Sequence, residues 1–279
     1  MSITVRDLAV KYGRKTVVSD ISLDFSSPGV YGIVGPNGAG KSTLMRAVAG
    51  VQDFSGTVLY DDQPLVAYSR AQRVEVLSYI AQYSGPPISM TVRDVVTLGR
   101  TAGKGLWRGM DSGDEDVINQ SMNHTDVYGL ADRPLAELSG GQVQRVMLAR
   151  ALAQQASHML LDEPNNHLDL QHQYNLMSLL RHFSREHGVI VLIAIHDIAM
   201  AARFCDSVAL IGEGGILLET GPADEILTPN ALKEVFGVHA KLVEIASGRV
   251  VLDVEGTTLR TWGPHLDQPQ AHRTPRSHD

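Results

Sequence analysis

The stretch Gly35-Pro36-Asn37-Gly38-Ala39-Gly40-Lys41-Ser42 constrains this chain more tightly than any other. It satisfies G-x-x-x-x-G-K-[ST] and is followed by Thr43. The apolar run Val30 to Val34 precedes it, and a helix-like segment from Lys41 to Ala49 follows. A strand that passes through a glycine-rich loop into a helix is a ready anion cradle in an α/β fold. Glycines let the loop curl until successive backbone N–H groups point inward at phosphate oxygens. The helix start adds roughly half a positive charge on the same anion. Lys41 is placed for the β- and γ-phosphates of a nucleotide, and the Ser42 hydroxyl for Mg²⁺. A glycine-rich turn before a helix is the bland alternative, and the strand before with the helix after favours the nucleotide.

A second constellation sits far along the chain. Met159-Leu160-Leu161 is an apolar strand run ending in Asp162-Glu163-Pro164. From a strand end, Asp162 reaches the Mg²⁺ region through a water, while Glu163 points elsewhere and can polarise an attacking water. A positioned base contributes about 10²–10⁴ in rate, and metal, lysine and backbone dipoles stabilise the transition state. Alone, Asp-Glu-Pro is a common strand exit; beside the phosphate loop the catalytic reading prevails. Between the two lies Leu138-Ser139-Gly140-Gly141-Gln142, continuing into Val143-Gln144-Arg145. Ser139 suits a helix N-cap, and Gly140 and Gly141 leave backbone N–H groups unobstructed. It is a second anion-binding helix start without a second lysine loop.

A phosphate loop, then L-S-G-G-Q, then an apolar strand ending in Asp-Glu-Pro resembles the ATP-binding cassette family, over roughly residues 1 to 240. The resemblance implies an ATPase with ATP and Mg²⁺ as cofactors, acting as a homodimer. It implies that Ser139, Gly140, Gly141 and Gln142 meet the γ-phosphate of the ATP held by the other subunit. Gln82 looks like the Q-loop glutamine that contacts Mg²⁺ and the attacking water, and His196 like the switch histidine on the γ-phosphate. Tyr12 stands where the family stacks a ring on adenine, although it also fits a half-buried strand position. Asn165-Asn166-His167-Leu168-Asp169 resembles the D-loop, with Asp169 at the dimer contact and Asn-Asn-His replacing the usual serine-containing version. The implied fold is an α/β P-loop NTPase core with a mixed sheet, an N-terminal antiparallel β region and an inserted α-helical lobe.

The rest of the chain agrees in texture. Short β runs are expected at Ile3-Thr4-Val5, Thr16-Val17-Val18 and Ile21 to Phe25. Val92, Val95, Val96 and Leu98, then Val117, Ile118 and Met122, suit amphipathic helices. Between them Gly103 to Asp116, with four glycines and several acids, reads as loop. Apolar runs at Met159–Leu161, Val189–Ile195 and Val208–Ile211 predict a sheet covered on both faces. The expected organisation is one ATPase domain over 1–260, its helical lobe inserted at about 85–152. A Pro/His-rich tail, 261–279, is expected to be disordered, its His265, His272 and His278 solvated rather than metal-bound.

A net charge of −7 without a basic cluster argues against nucleic-acid binding. The lone Cys205 reads as a small buried or half-buried thiol rather than a catalytic one, in a reducing compartment. No signal peptide is evident, and the longest apolar run, Val189 to Ile195, is far short of the roughly 20 residues that cross a bilayer. The expectation is a peripheral protein on the cytoplasmic face of the membrane, joined to transmembrane permease subunits and, indirectly, a substrate-binding protein. Thr91 to Arg100, Leu168 to Gln173 and Thr228 to Val238 resemble the importers of iron-siderophore, haem and cobalamin complexes, though each alone could be a generic amphipathic helix. Iron-siderophore import is the first choice of function. A zinc or manganese importer ATPase, or a soluble cassette of cluster assembly or repair, stays open.

Overall fold

The computed structural model describes residues 1–81, 89–102, 110–165, 168–245 and 250–258. Gln82, Asn166, His167 and the expected tail with its histidines lie outside the described residues.

Six strands form the central sheet: β3 (Gly29–Val34), β6 (Leu77–Ile80), β7 (His158–Asp162), β8 (Ile190–Ile195), β9 (Ser207–Ile211) and β10 (Leu217–Gly221). Their order is β10-β9-β3-β8-β7-β6, all neighbours parallel except β10, which runs antiparallel to β9. Every residue of β3, β7 and β8 is buried, as continuous apolar runs demand of a sheet covered twice. The two-residue period divides the side chains between two cores. Val30, Val34, Leu161 and Ile193 feed one; Tyr31, Ile33, Leu160 and Leu192 feed the other.

The second core is closed by α1 (Lys41–Val48) and by an antiparallel sheet ordered β2-β1-β4-β5, comprising β1 (Ile3–Tyr12), β2 (Lys15–Phe25), β4 (Ser55–Tyr60) and β5 (Gln63–Pro64); α2 (Arg70–Val76) then leads into β6. Three short β runs were expected here, and two long strands are found. The polar breaks in alternation are irregularities within strands rather than ends: the β1–β2 register shifts between Val5 and Leu8, and Asp7 and Asp20 take φ of 50° and 52°.

The first core is covered by α3 (Val92–Thr101), α4 (Ser112–His124), α5 (Gly140–Gln154), α6 (Leu170–His187) and α7 (Ile198–Phe204). Of the expected 103–116 loop, residues 112–116 are helical instead. Asp111 caps α4 through a reciprocal box with Asp114, so acids that resembled loop polarity are helix-start signals. After the short α8 (Ala223–Ile226), α9 (Pro229–Phe236) starts at the Thr228 cap and stops at left-handed Gly237. It leads into a hairpin of β11 (Val238–Glu244) and β12 (Val250–Thr257) that the sequence did not announce. Among the described residues no helix is long and apolar enough to cross a membrane.

Candidate functional site

The parallel sheet brings distant motifs to one edge. Val34 lies opposite Ile195, and Asp162 opposite Ala194, so Gly35, His196 and Glu163 leave adjacent strands at the same end. The switch-like His196 is exposed just beyond β8.

In the phosphate loop, Gly38 and Gly40 take φ of 82° and 91°, conformations that a side chain strains. Gly35 is required for space: a Cβ there would lie 2.3 Å from the Ile211 carbonyl oxygen. Asn37 and Gly38 form the exposed tip, Ala39 is buried, and Pro36, Ser42 and Thr43 are half-buried. Lys41 opens α1 and is only 4% exposed. Its Nζ donates to the Gly35 and Pro36 carbonyls at 2.8 and 3.0 Å, so the loop wraps its own cation. Burial lowers the Lys41 pKa, and the carboxylates of Glu163 and Asp162 oppose that shift.

The Ser42 hydroxyl donates to Asp162 Oδ1 at 2.8 Å. Oδ2 of the same carboxylate is buried and, among the described residues, has no hydrogen-bond partner. Burial raises the Asp162 pKa, the Ser42 hydrogen bond pulls it back, and Glu163 pushes it further up. A hydroxyl and an orphaned carboxylate oxygen side by side are hard donors that fit Mg²⁺. Tyr79, unremarked in the sequence, faces the same carboxylate; burial first and then Asp162 push its hydroxyl up to about 12.

Glu163 occupies a left-handed conformation, φ 49°, immediately before Pro164. That combination is doubly disfavoured for a non-glycine residue and costs on the order of 1–3 kcal/mol. The surroundings enforce it: Glu163 N–H donates to the Ala194 carbonyl at 3.2 Å, and Gln144 Nε2 donates to the Pro164 carbonyl.

Ser139 caps α5 as its residue type predicts. Its Oγ accepts from Gln142 N–H at 3.3 Å, and Gln142 Oε1 accepts from Ser139 N–H at 2.9 Å. Gln142 therefore serves its own helix start, leaving Ser139 and Gly140 exposed. Ser139, Gly140, Gly141 and Gln142 line a surface cavity of about 430 Å³ together with Leu168 and Asp169. None of Gly35 to Thr43 is among its described lining residues. Asp169 caps α6, accepting from His172 N–H at 2.9 Å and pairing with His172 Nδ1 at 2.7 Å; these hydrogen bonds lower its pKa. Tyr12 ends β1, 47% exposed, its hydroxyl donating to Gln52 Oε1.

The family profile described as ABC transporter matches residues 18–166, a span that holds the phosphate loop, the Ser139 helix start and the Asp162-Glu163 pair. The chain belongs to the ABC transporter family. It is an ATPase. This cassette is 40% identical over 247 residues to the hemin import ATP-binding protein HmuV of Pseudomonas fluorescens, covering 86% of this chain and 94% of that protein. It is 32% identical over 243 residues to the iron(3+)-hydroxamate import ATP-binding protein FhuC of Bacillus subtilis, covering 87% and 90%. A metal-chelate type ABC transporter in an inward-facing conformation shares the fold with a TM-score of 0.76 at 23% identity, over 91% of this chain and 97% of that one. A dimeric ATP-binding cassette bound to ADP and phosphate does so with a TM-score of 0.71 at 24% identity, over 79% and 98%.

Proposed function

We propose that this cassette drives an importer of iron chelates, siderophore- or hemin-bound. It does so as a homodimer on the cytoplasmic face of the membrane, engaging permease subunits supplied by an outer binding protein. One observation carries the dimer. The cradle around Lys41 and the helix start at Ser139 read as two anion sites of one chain, and the cavity at Ser139 has none of Gly35 to Thr43 among its described lining residues. Two copies related by a two-fold axis bring each cradle against the other's helix start. The names of the relatives, hemin, hydroxamate and achromobactin import proteins, support the cargo.

In this reading Gly35 to Thr43 hold the triphosphate and Tyr12 stacks on the base. Ser42 and Asp162, with Gln82, hold Mg²⁺, which when bound neutralises charge on the β- and γ-phosphate oxygens. Glu163 orients and polarises water, and His196 contacts the γ-phosphate from the neighbouring strand end. Ser139, Gly140, Gly141 and Gln142 of one copy close over the nucleotide of the other, with Asp169 beside that contact.

The test is uptake of labelled iron-siderophore and hemin in a strain lacking the gene. Loss of uptake, restored by the wild-type chain but not by Glu163→Gln, is expected. Purified Glu163→Gln should bind ATP normally and hydrolyse it about 10²–10⁴-fold more slowly. Intact iron-chelate uptake with a zinc or manganese deficit would transfer the cassette to that importer class instead.

A further inference from the structure

Gln144 lies outside every motif that the function absorbs, yet it is the side chain that α5 places against the catalytic loop. Its Nε2 donates to the carbonyl of Pro164, the residue following Glu163. The next carbonyl, that of Asn165, is held by Gln173 Nε2 of α6 at 3.3 Å, and Gln173 also donates to the Leu168 carbonyl at 3.1 Å. The backbone leaving Glu163 is thus pinned by two glutamine side chains from two helices. Asn165 itself is 3% exposed, and among the described residues neither its side-chain oxygen nor its nitrogen has a hydrogen-bond partner. Beside the backbone bonds of Glu163 to Ala194 and of Leu168 to Asn165, these two glutamines are the side chains that fix the segment's path.

The anchor on α5 matters because of what else α5 carries. The helix runs unbroken from its cap at Ser139, and its first turn is closed by Val143 N–H to the Ser139 carbonyl at 2.9 Å. Gln144 stands five residues from that cap, about 7.5 Å along the axis. A helix is stiff over so short a span, so a displacement of Ser139 reaches the Pro164 peptide through one side chain. That peptide adjoins the left-handed Glu163, a conformation that persists only where its surroundings enforce it.

We propose that Gln144 is a positioning residue: by holding the Pro164 carbonyl it ties the Ser139 helix start to Glu163 within one chain. Resting on the roles given above to Ser139 and Glu163, the consequence is a link between the two nucleotides of the dimer. The helix start meets one nucleotide and Glu163 acts on the other, so seating of the first aligns the carboxylate at the second.

The experiment uses the full chain and three measurements: steady-state ATPase kinetics with its Hill coefficient, binding of a fluorescent ATP analogue, and thermal unfolding. Gln144→Glu keeps the size but turns an acceptor toward the carbonyl; Gln144→Lys restores an N–H donor of similar reach. For Gln144→Glu, kcat should fall roughly tenfold to a hundredfold and the Hill coefficient should drop toward one, with analogue affinity unchanged. Gln144→Lys should regain a substantial part of both. Wild-type kcat and cooperativity in Gln144→Glu, or equal loss in both variants whatever the cause, folding included, would overturn the proposal. Glu163→Gln run in parallel separates the two levels: if it hydrolyses ATP normally, the assignment of Glu163 fails whatever Gln144 does.

Discussion

Asp162 is buried, carries an oxygen without a hydrogen-bond partner among the described residues, and has a pKa raised chiefly by burial. A carboxyl whose folded pKa lies above its unfolded value, about 3.9, binds its proton more tightly in the folded state. Its contribution to stability is full below that unfolded value and is lost as pH rises through the raised one. Asp162→Asn cannot ionise and should escape this loss. In thermal unfolding of the nucleotide-free chain, the variant should gain on the wild type as pH is raised above the unfolded carboxyl value of about 3.9, by about 2 °C or more in Tm. A variant that falls behind as pH rises would show that attraction to Lys41 outweighs burial. On the proposed reading, this trade of stability for Mg²⁺ chemistry is why the residue was legible at all. Lys41, Ser42, Asp162 and Glu163 announce themselves because phosphate, metal and water each demand a particular side chain at a fixed point on a strand end. Gln144 and Tyr79 act through backbone or through one neighbour, and no residue pattern marks such work. Asp169 was readable as a family position, while its local task of capping α6 follows only from the hydrogen bonds to His172.

At the level of elements, the helical lobe is held by close approach as much as by apolar stripes. Val92, Val95 and Val96 put α3 into the shared core, as their spacing predicts, while Leu98, expected with them, is exposed. Between α3 and α5 the backbones meet at Gly99, where a Cβ would lie 2.0 Å from the Arg150 carbonyl oxygen. That atom belongs to helix backbone and cannot rotate away. Gly99→Ala should therefore push the two helices apart and destabilise the fold by about 1–3 kcal/mol, measured by urea unfolding. The Lys41 cradle lies on other elements, so affinity for ATP in the surviving folded fraction should be retained; unchanged stability would mean that α3 moves without cost. Gly99 shows where periodicity stops informing, since a stripe gives the face of a helix but not its distance from the next. The same limit hid the junctions of β1 and β2. Asp7 and Asp20 look like strand ends, yet aspartate tolerates the left-handed conformation and the ladder resumes beyond each. The central strands were far easier, because a strand buried on both faces has no polar alternation to misread.

For the whole molecule the question is whether one chain or two make a working site. A dimer of the proposed kind assigns each nucleotide the Lys41 loop of one copy and the Ser139 helix start of the other. Lys41→Ala removes the charge that the loop encloses, and Ser139→Arg blocks the helix tip without touching the cradle; each homodimer should be inactive. Mixed in equal amounts, the two variants exchange subunits, and half of the dimers become heterodimers. In each heterodimer the intact Lys41 faces the intact Ser139 across one site, while both defects fall together in the other. ATPase activity should then rise from near zero toward a ceiling of roughly a quarter of wild type, and stay below it to the extent that the link through Gln144 makes hydrolysis at the intact site depend on the defective one. Because Ser139→Arg leaves its own cradle whole, that variant alone should still bind the fluorescent ATP analogue. Two inactive proteins cannot rescue each other if every chain completes its own site. A mixture that neither hydrolyses ATP nor retains the ATP analogue more tightly than Ser139→Arg alone, although exchange is verified by subunits carrying different fluorophores, would return the signature helix to its own chain's nucleotide and remove the reason for closure between copies.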